Sequence, residues 1–167
     1  NSTAREAVGT AAYAGTRLDN IGKLRYSSFQ TNNTIVAPSL QFDIDYDVND
    51  AATAYEGRLV FEPYQSPAQG AVLQNVWQSW HGLSGNWYGT RATVTVGNAS
   101  VANPCQQGTP CTWQQVRATF PNAGIRTPGN LLFKAGGPWA PGFRGNVDAF
   151  KLGIGSNMTT FNFEPTP

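Results

Sequence analysis

Three aspartates at alternate positions, Asp43, Asp45 and Asp47, are the residues whose type and spacing most directly suggest chemistry. On an extended strand they share one face and repel one another unless something positive lies among them. A hard cation such as calcium, which takes oxygen ligands, would compensate them. Asn49 and Asp50 continue the run, but Val48 stands where a calcium loop needs glycine and Ala54 where it needs its closing glutamate. The segment is therefore not an EF-hand. A strand also holds its carboxylates parallel instead of converging them, and Arg58 across a hairpin can pair with them. The expectation is a solvated, partly paired acidic face, with calcium at Asp43, Asp45 and Asp47 as the sharper alternative.

Carboxylate pairs also raise hydrolysis. Glycoside cleavage needs two carboxyl groups about 5 Å apart, or about 6.5–9.5 Å apart for the inverting reaction. Same-face neighbours on one strand sit about 6.5–7 Å apart, so spacing alone does not exclude a glycosidase. Asp45 with Glu62 is the best pair the chain offers. The single histidine, His81, lies in WQSWHGLSGNWYG, where Gly82-Leu83-Ser84-Gly85 loosely resembles a nucleophile elbow; the G-x-S-x-G pattern breaks at Asn86. His81 and Ser84 are three residues apart in one segment, whereas a triad needs its members to face one another from separate segments. One histidine and two cysteines do not make a zinc site, and no glycine-rich phosphate loop occurs. No catalytic residue is assigned, and no cofactor is expected apart from the calcium alternative.

The aromatic residues carry the richest remaining signal. Trp77, Trp80, Trp87 and Tyr88 fall within twelve residues, followed by Trp113 and Trp139 in segments rich in glycine and proline. Flat aromatic faces stack on sugar rings, yet large aromatics are core material by default. Trp77, Trp113 and one of Trp80 or Trp87 are expected in the core. Trp87, Tyr88 and Trp139, with Asn86 beside them, are the expected exposed ligand-binding residues.

Short strands must position these groups. Turn residues punctuate the chain every 8 to 15 positions, and no repeat or linker interrupts it, so residues 1–167 read as one domain. Residues 42–48 and 55–62 alternate with period two, placing Phe42, Ile44, Tyr46 and Val48 on a core face with Tyr55, Leu59 and Phe61. Asp43, Asp45, Asp47, Glu56, Arg58 and Glu62 take the opposite face. Further strands are expected from Gly22 through Ser28 and over 71–78, 92–96, 130–135, 146–153 and 159–164, with irregular structure around Pro38. One short helix is expected over Trp113–Thr119, opened by a Thr112/Gln115 capping box and stopped by Pro121.

Composition narrows the function class. Charged residues are only 13% of the chain, the net charge is +1, and no run of five like charges occurs, which argues against nucleic acid and anionic membrane as partners. No apolar stretch approaches the roughly 20 residues of a membrane helix. The first ten residues lack the features of a signal peptide, so any export signal is expected to have been removed already. Cys105 and Cys111, in NPCQQGTPC, are expected to form a disulfide, which favours an oxidising compartment and a secreted or cell-surface protein. Closing so small a loop stabilises by about 2.4 kcal/mol in the chain-entropy picture, enough to pin a loop but not a fold. Sequons at Asn1, Asn32, Asn98 and Asn157 are compatible with glycosylation. Fourteen asparagines would produce about two by chance, so the excess is small.

The strings GTAAYAGTRL, PSLQFDIDYDV, GRLVFEPYQ, VWQSW, NPCQQGTPCTW, FKAGGPWAPGFRGNVDAFKLGI and TTFNFE together resemble a group of bacterial extracellular β-sandwich domains. The closing pattern is similar to the last strands of lectin-like jelly rolls of the concanavalin A and laminin G type. This resemblance covers nearly the whole chain. It implies an all-β, antiparallel jelly-roll sandwich with one short helix, and a non-catalytic extracellular module that contacts a glycan or cell-surface polymer through loop aromatics. The E-x-D-x-x-E strand of glucanases with that fold is absent. Members of the group carry a further glycine- and proline-rich stretch with a strand before the GTAAYAG segment, so the resemblance implies either that the mature protein is short there or that a strand position stands open. An open edge implies self-association by strand complementation, as in the subunit of an extracellular filament.

Overall fold

The computed structural model describes residues 5–32, 35–52, 54–136 and 143–163. Along them run β1 (Arg5–Thr10), β2 (Ile21–Gln30), β3 (Ser39–Asp45), β4 (Arg58–Phe61), β5 (Gln78–His81), β6 (Asn86–Gly89), β7 (Thr93–Val96), β8 (Ala99–Ala102) and β9 (Cys111–Thr112). Then come α1 (Trp113–Thr119), β10 (Gly124–Ile125), β11 (Leu131–Gly136), β12 (Gly145–Ile154) and β13 (Asn157–Phe161). The fold is all-β and sandwich-like, with antiparallel sheets and one α-helix among the described residues.

Period-two alternation generates both layers. In β2, Leu24, Tyr26, Ser28 and Gln30 are buried while the residues between them are more exposed. The larger sheet has the order β1-β11-β3-β4-β6-β9, with β10 paired to the end of β3. The smaller sheet has the order β13-β12-β2-β5, and β7 and β8 form a separate hairpin. Ring contacts join the two layers: Tyr26 of β2 meets Phe61 and Phe133 of the larger sheet, with ring centroids 6.2 and 4.8 Å apart. Phe133 meets Phe150 of β12 edge to face at 5.1 Å. Edge-to-face pairs of this kind add about 0.5–1.5 kcal/mol beyond the area they bury.

The helix forms as the sequence predicts. Thr112 Oγ1 accepts from the Gln115 backbone N–H at 3.2 Å, and Gln115 Oε1 accepts from the Thr112 N–H at 2.8 Å. Trp113 and Val116 face the core, where Trp113 lies against Trp87 at 5.1 Å. The disulfide joins Cys105 to Cys111 with Cα atoms 5.2 Å apart, at the end of the larger sheet where Cys111 pairs with Trp87. Among the described residues no helix is long and apolar enough to cross a membrane.

Three expectations change. Residues 71–77 lie outside any strand, because Gly70 and Asn75 take positive φ and the Gln78 side chain occupies their backbone. Gln78 Nε2 donates to the Ala71 carbonyl at 2.8 Å, and its Oε1 accepts from the Leu73 N–H at 2.6 Å. Residues 86–89, expected as loop, form β6. Residues 5–10 form β1, pairing with β11 over its whole length at the edge of the larger sheet. Its sequence, REAVGT, has little of the β-branched and aromatic content that marks a strand.

Candidate functional site

The outer face of the larger sheet holds the candidate site. Because Leu40, Phe42 and Ile44 of β3 point into the core, Ser39, Gln41 and Asp43 point outward. Leu59 and Phe61 of β4 point inward, which turns Arg58, Val60 and the following Glu62 outward. Trp87 of β6 is inward, so Tyr88 is outward. The register sets these groups in rows: Gln41 opposite Val60, Val60 opposite Tyr88, Asp43 opposite Arg58, and Lys134 opposite Ser39.

Although this face lies away from the core, its floor is shielded from solvent. Ser39, Gln41 and Glu62 are 2%, 6% and 8% exposed. A groove of about 550 Å³ runs over them, bordered by Ile35, Val36, Tyr55, Tyr64 and Gln107. Buried polar groups need partners, and these have them. Arg58 Nε donates to Asp43 Oδ1 at 3.0 Å, and its Nη1 donates to Gln41 Oε1 at 3.1 Å. Gln41 Nε2 donates to Ser39 Oγ at 2.7 Å, and Ser39 Oγ donates to the Lys134 carbonyl at 3.2 Å. Asp43 Oδ2 accepts from both nitrogens of Asn130, at 2.9 and 3.2 Å. The result is a fixed polar ribbon, Asp43–Arg58–Gln41–Ser39, laid across two strands.

Beside the ribbon, Tyr88 donates its hydroxyl to Glu62 Oε2 at 3.0 Å. Burial, reinforced by the Glu62 charge, holds the Tyr88 phenol well above the usual tyrosine range. The Tyr64 phenol is raised for the same two reasons in the same order. Both hydroxyls therefore stay protonated at neutral pH. Asp43 is committed to Arg58 and Asn130, which leaves Glu62 as the one carboxylate among the groove-lining residues named. That set can donate and accept hydrogen bonds, but it lacks an opposed acid and base.

The residues singled out from sequence are distributed differently. Trp87 is fully buried at 0% exposure, stacked on Phe42 and donating from Nε1 to the Gly82 carbonyl at 2.8 Å, so it is a core residue and not an exposed platform. Tyr88 is also largely buried, at 8%, and lines the groove floor. Trp80 and Trp113 are buried too, whereas Trp77, expected in the core, is 54% exposed. Positions 77 and 80 are three apart, which puts them on opposite faces of an extended chain. Asn86 is spent on local structure, its Nδ2 donating to the Gln65 carbonyl at 2.8 Å. Trp139 lies outside the described residues.

The three aspartates do not converge. Asp43 belongs to the ribbon, Asp45 Oδ1 accepts from the Asp47 N–H, and Asp47 accepts from the N–H groups of Asn49 and Gly97. Among the described residues no three His, Cys, Asp or Glu groups are placed to hold a metal ion. Asp45 and Glu62 are also too far apart for the glycosidase geometry. Continuing the β3–β4 register sets Glu62 opposite Ser39, six residues from Asp45, which is about 20 Å of strand. His81 is exposed on the smaller sheet. Of the sequons, Asn98 and Asn157 are exposed, Asn32 is half-buried with its Oδ1 accepting from the Arg144 N–H, and Asn1 lies outside the described residues.

Ser39, Gln41, Val60 and Tyr64 were not singled out from sequence. The signal that could have found them is the alternation through Phe42, which runs back to Leu40 and forces Gln41 and Ser39 outward; Pro38 masked it. No family model, curated protein or solved structure matches the chain, so the groove is interpreted from its own geometry.

Proposed function

We propose that the chain is a non-catalytic extracellular binding module whose larger sheet takes an uncharged glycan segment in the groove over Gln41, Arg58 and Tyr88. The observation that carries this is the prearranged ribbon of polar side chains under an open groove. Sugar hydroxyls need donors and acceptors held at fixed positions, and groups already ordered lose little entropy when they bind. Tyr55 and Tyr64, 47% and 39% exposed, supply aromatic faces at the margin for ring stacking. The ion pair with Asp43 neutralises Arg58, so the floor offers hydrogen bonds more than net charge, which suits a neutral ligand. The disulfide is compatible with an extracellular setting.

Titration of the chain against a panel of neutral oligosaccharides tests the proposal. Gln41→Ala and Tyr64→Ala should each weaken the best ligand about tenfold, the loss of one well-placed hydrogen bond or stacking contact. Trp77→Ala should bind that neutral ligand as wild type does. Absence of binding to every neutral glycan, or unchanged affinity in both groove variants, would refute it.

A further inference from the structure

The outer face of the smaller sheet collects residues that are scattered in the sequence. Register pairs Arg25 with His81 on one side and with Lys151 on the other, and sets Lys23 opposite Gly153 in the next outward row. Three basic side chains and the single histidine thus share one face of a chain whose net charge is only +1. Like charges directly opposite on neighbouring strands destabilise a sheet. Among the described residues none of Lys23, Arg25 and Lys151 forms an ion pair; the carboxylates paired within 4.0 Å there are Asp19 and Asp43, elsewhere in the fold. Asp148, the carboxylate on this face among the described residues, lies opposite Ser27 and accepts from the Phe163 N–H at 3.1 Å. His81 responds to the cluster: slight burial first, then the charges of Arg25 and Lys23, lower its pKa below the ordinary histidine value.

The same face continues into groups that suit sugars. Next along β2 come the hydroxyls of Ser27 and Ser79, 3.0 Å apart. Beyond them the exposed Trp77 lies against Phe29, ring centroids 5.7 Å apart. From Arg25 to Phe29 is four residues, or about 13 Å of flat strand.

We infer that this face is a second binding surface, independent of the groove, which takes a uronate-bearing polysaccharide with its carboxylates at Lys23, Arg25 and Lys151 and a sugar ring on Trp77. The planar fork of arginine matches a carboxylate, and an aromatic face matches a sugar ring. Charge alone would serve any polyanion, but nucleic acid binding draws on many more cations than three. The row of cations followed by hydroxyls and an aromatic ring fits a strand of acidic sugars.

Calorimetry of the whole chain with hexagalacturonate and with its methyl ester tests the inference, since the ester keeps the sugar backbone and removes the charge. The acid form should bind at least about tenfold tighter, with affinity falling as salt rises. Arg25→Gln and Lys151→Gln should each weaken it about three- to fivefold, as loss of one exposed ion pair does. Trp77→Ala should weaken the acid form, and Gln41→Ala should leave the acid form unchanged. Because the glutamine variants relieve repulsion, their melting temperatures should not fall, which separates lost binding from lost folding. The His81 resonances, those of the only histidine in the chain, should show its pKa rising when hexagalacturonate binds. Equal affinity for acid and ester, or a His81 titration that does not move, would overturn the inference. So would duplex DNA or phosphatidylserine vesicles binding as tightly as hexagalacturonate.

Discussion

Trp87 and Trp113 touch one another in the core, yet they are satisfied differently. The Trp87 indole N–H donates to Gly82, whereas the buried Trp113 Nε1 has no hydrogen-bond partner among the described residues. Replacing either by phenylalanine removes similar volume, but only Trp87→Phe removes a buried hydrogen bond, the Gly82 carbonyl keeping the Gly85 N–H at 3.1 Å. Trp87→Phe should therefore cost about 0.5–1.5 kcal/mol more than Trp113→Phe in urea unfolding, and equal costs would contradict this account of the core. Asp45 offers a pH-dependent test. Burial first, then repulsion from Glu56, Asp50 and Asp47, raises its carboxyl against the opposing Asp47 backbone hydrogen bond. A raised acid binds its proton more tightly in the folded chain, so its ionisation costs stability. That penalty is absent below the ordinary aspartate value near 3.9 and develops as pH rises through the raised one. Asp45→Asn should raise the melting temperature at pH 7, and the gain should vanish near pH 3.

Elements with strong alternation were legible from sequence, and their geometry is what makes the groove. Residues 42–48 and 55–62 announced the β3–β4 pair, whose strands are Ser39–Asp45 and Arg58–Phe61, and placed Arg58 against the aspartate row, where its partner is Asp43; the Thr112/Gln115 capping box announced α1. β6 was not legible, because a four-residue strand between glycines looks like loop until its partners are known. That one omission misplaced Trp87, since strand geometry sends adjacent Trp87 and Tyr88 to opposite faces. Entry into β4 depends on Gly57, whose φ is +92°; a Cβ there would lie 2.5 Å from Thr90 Oγ1 and 2.8 Å from Arg91 Cγ. Thr90 Oγ1 accepts the Arg58 N–H at 2.9 Å, so the collision falls on the hydroxyl that holds the Arg58 backbone. Gly57→Ala should lower stability by about 1–3 kcal/mol, measured by chemical unfolding, and should weaken groove ligands as well. A variant as stable as wild type would show that the turn is not constrained.

At the scale of the molecule, a nearly neutral chain presents two unlike outer faces. The larger sheet carries a grooved surface where Arg58 is paired with Asp43, and the smaller carries Lys23, Arg25 and Lys151, which form no ion pair among the described residues. The sequence total of +1 concealed this contrast, because Lys23, Arg25, His81 and Lys151 meet only through long-range strand pairing. Ser39 and Glu62 likewise become neighbours only once β3 and β4 are in register. The central claim is that the groove over Gln41, Arg58 and Tyr88 is where a neutral glycan sits. Amide chemical-shift mapping with the best neutral oligosaccharide tests it most directly. The account predicts perturbations concentrated on Ser39, Gln41, Arg58, Glu62, Tyr64 and Tyr88, with Arg25 and Lys151 unmoved; shifts confined to the 82–86 turn, or to the outer face of the smaller sheet, would contradict it.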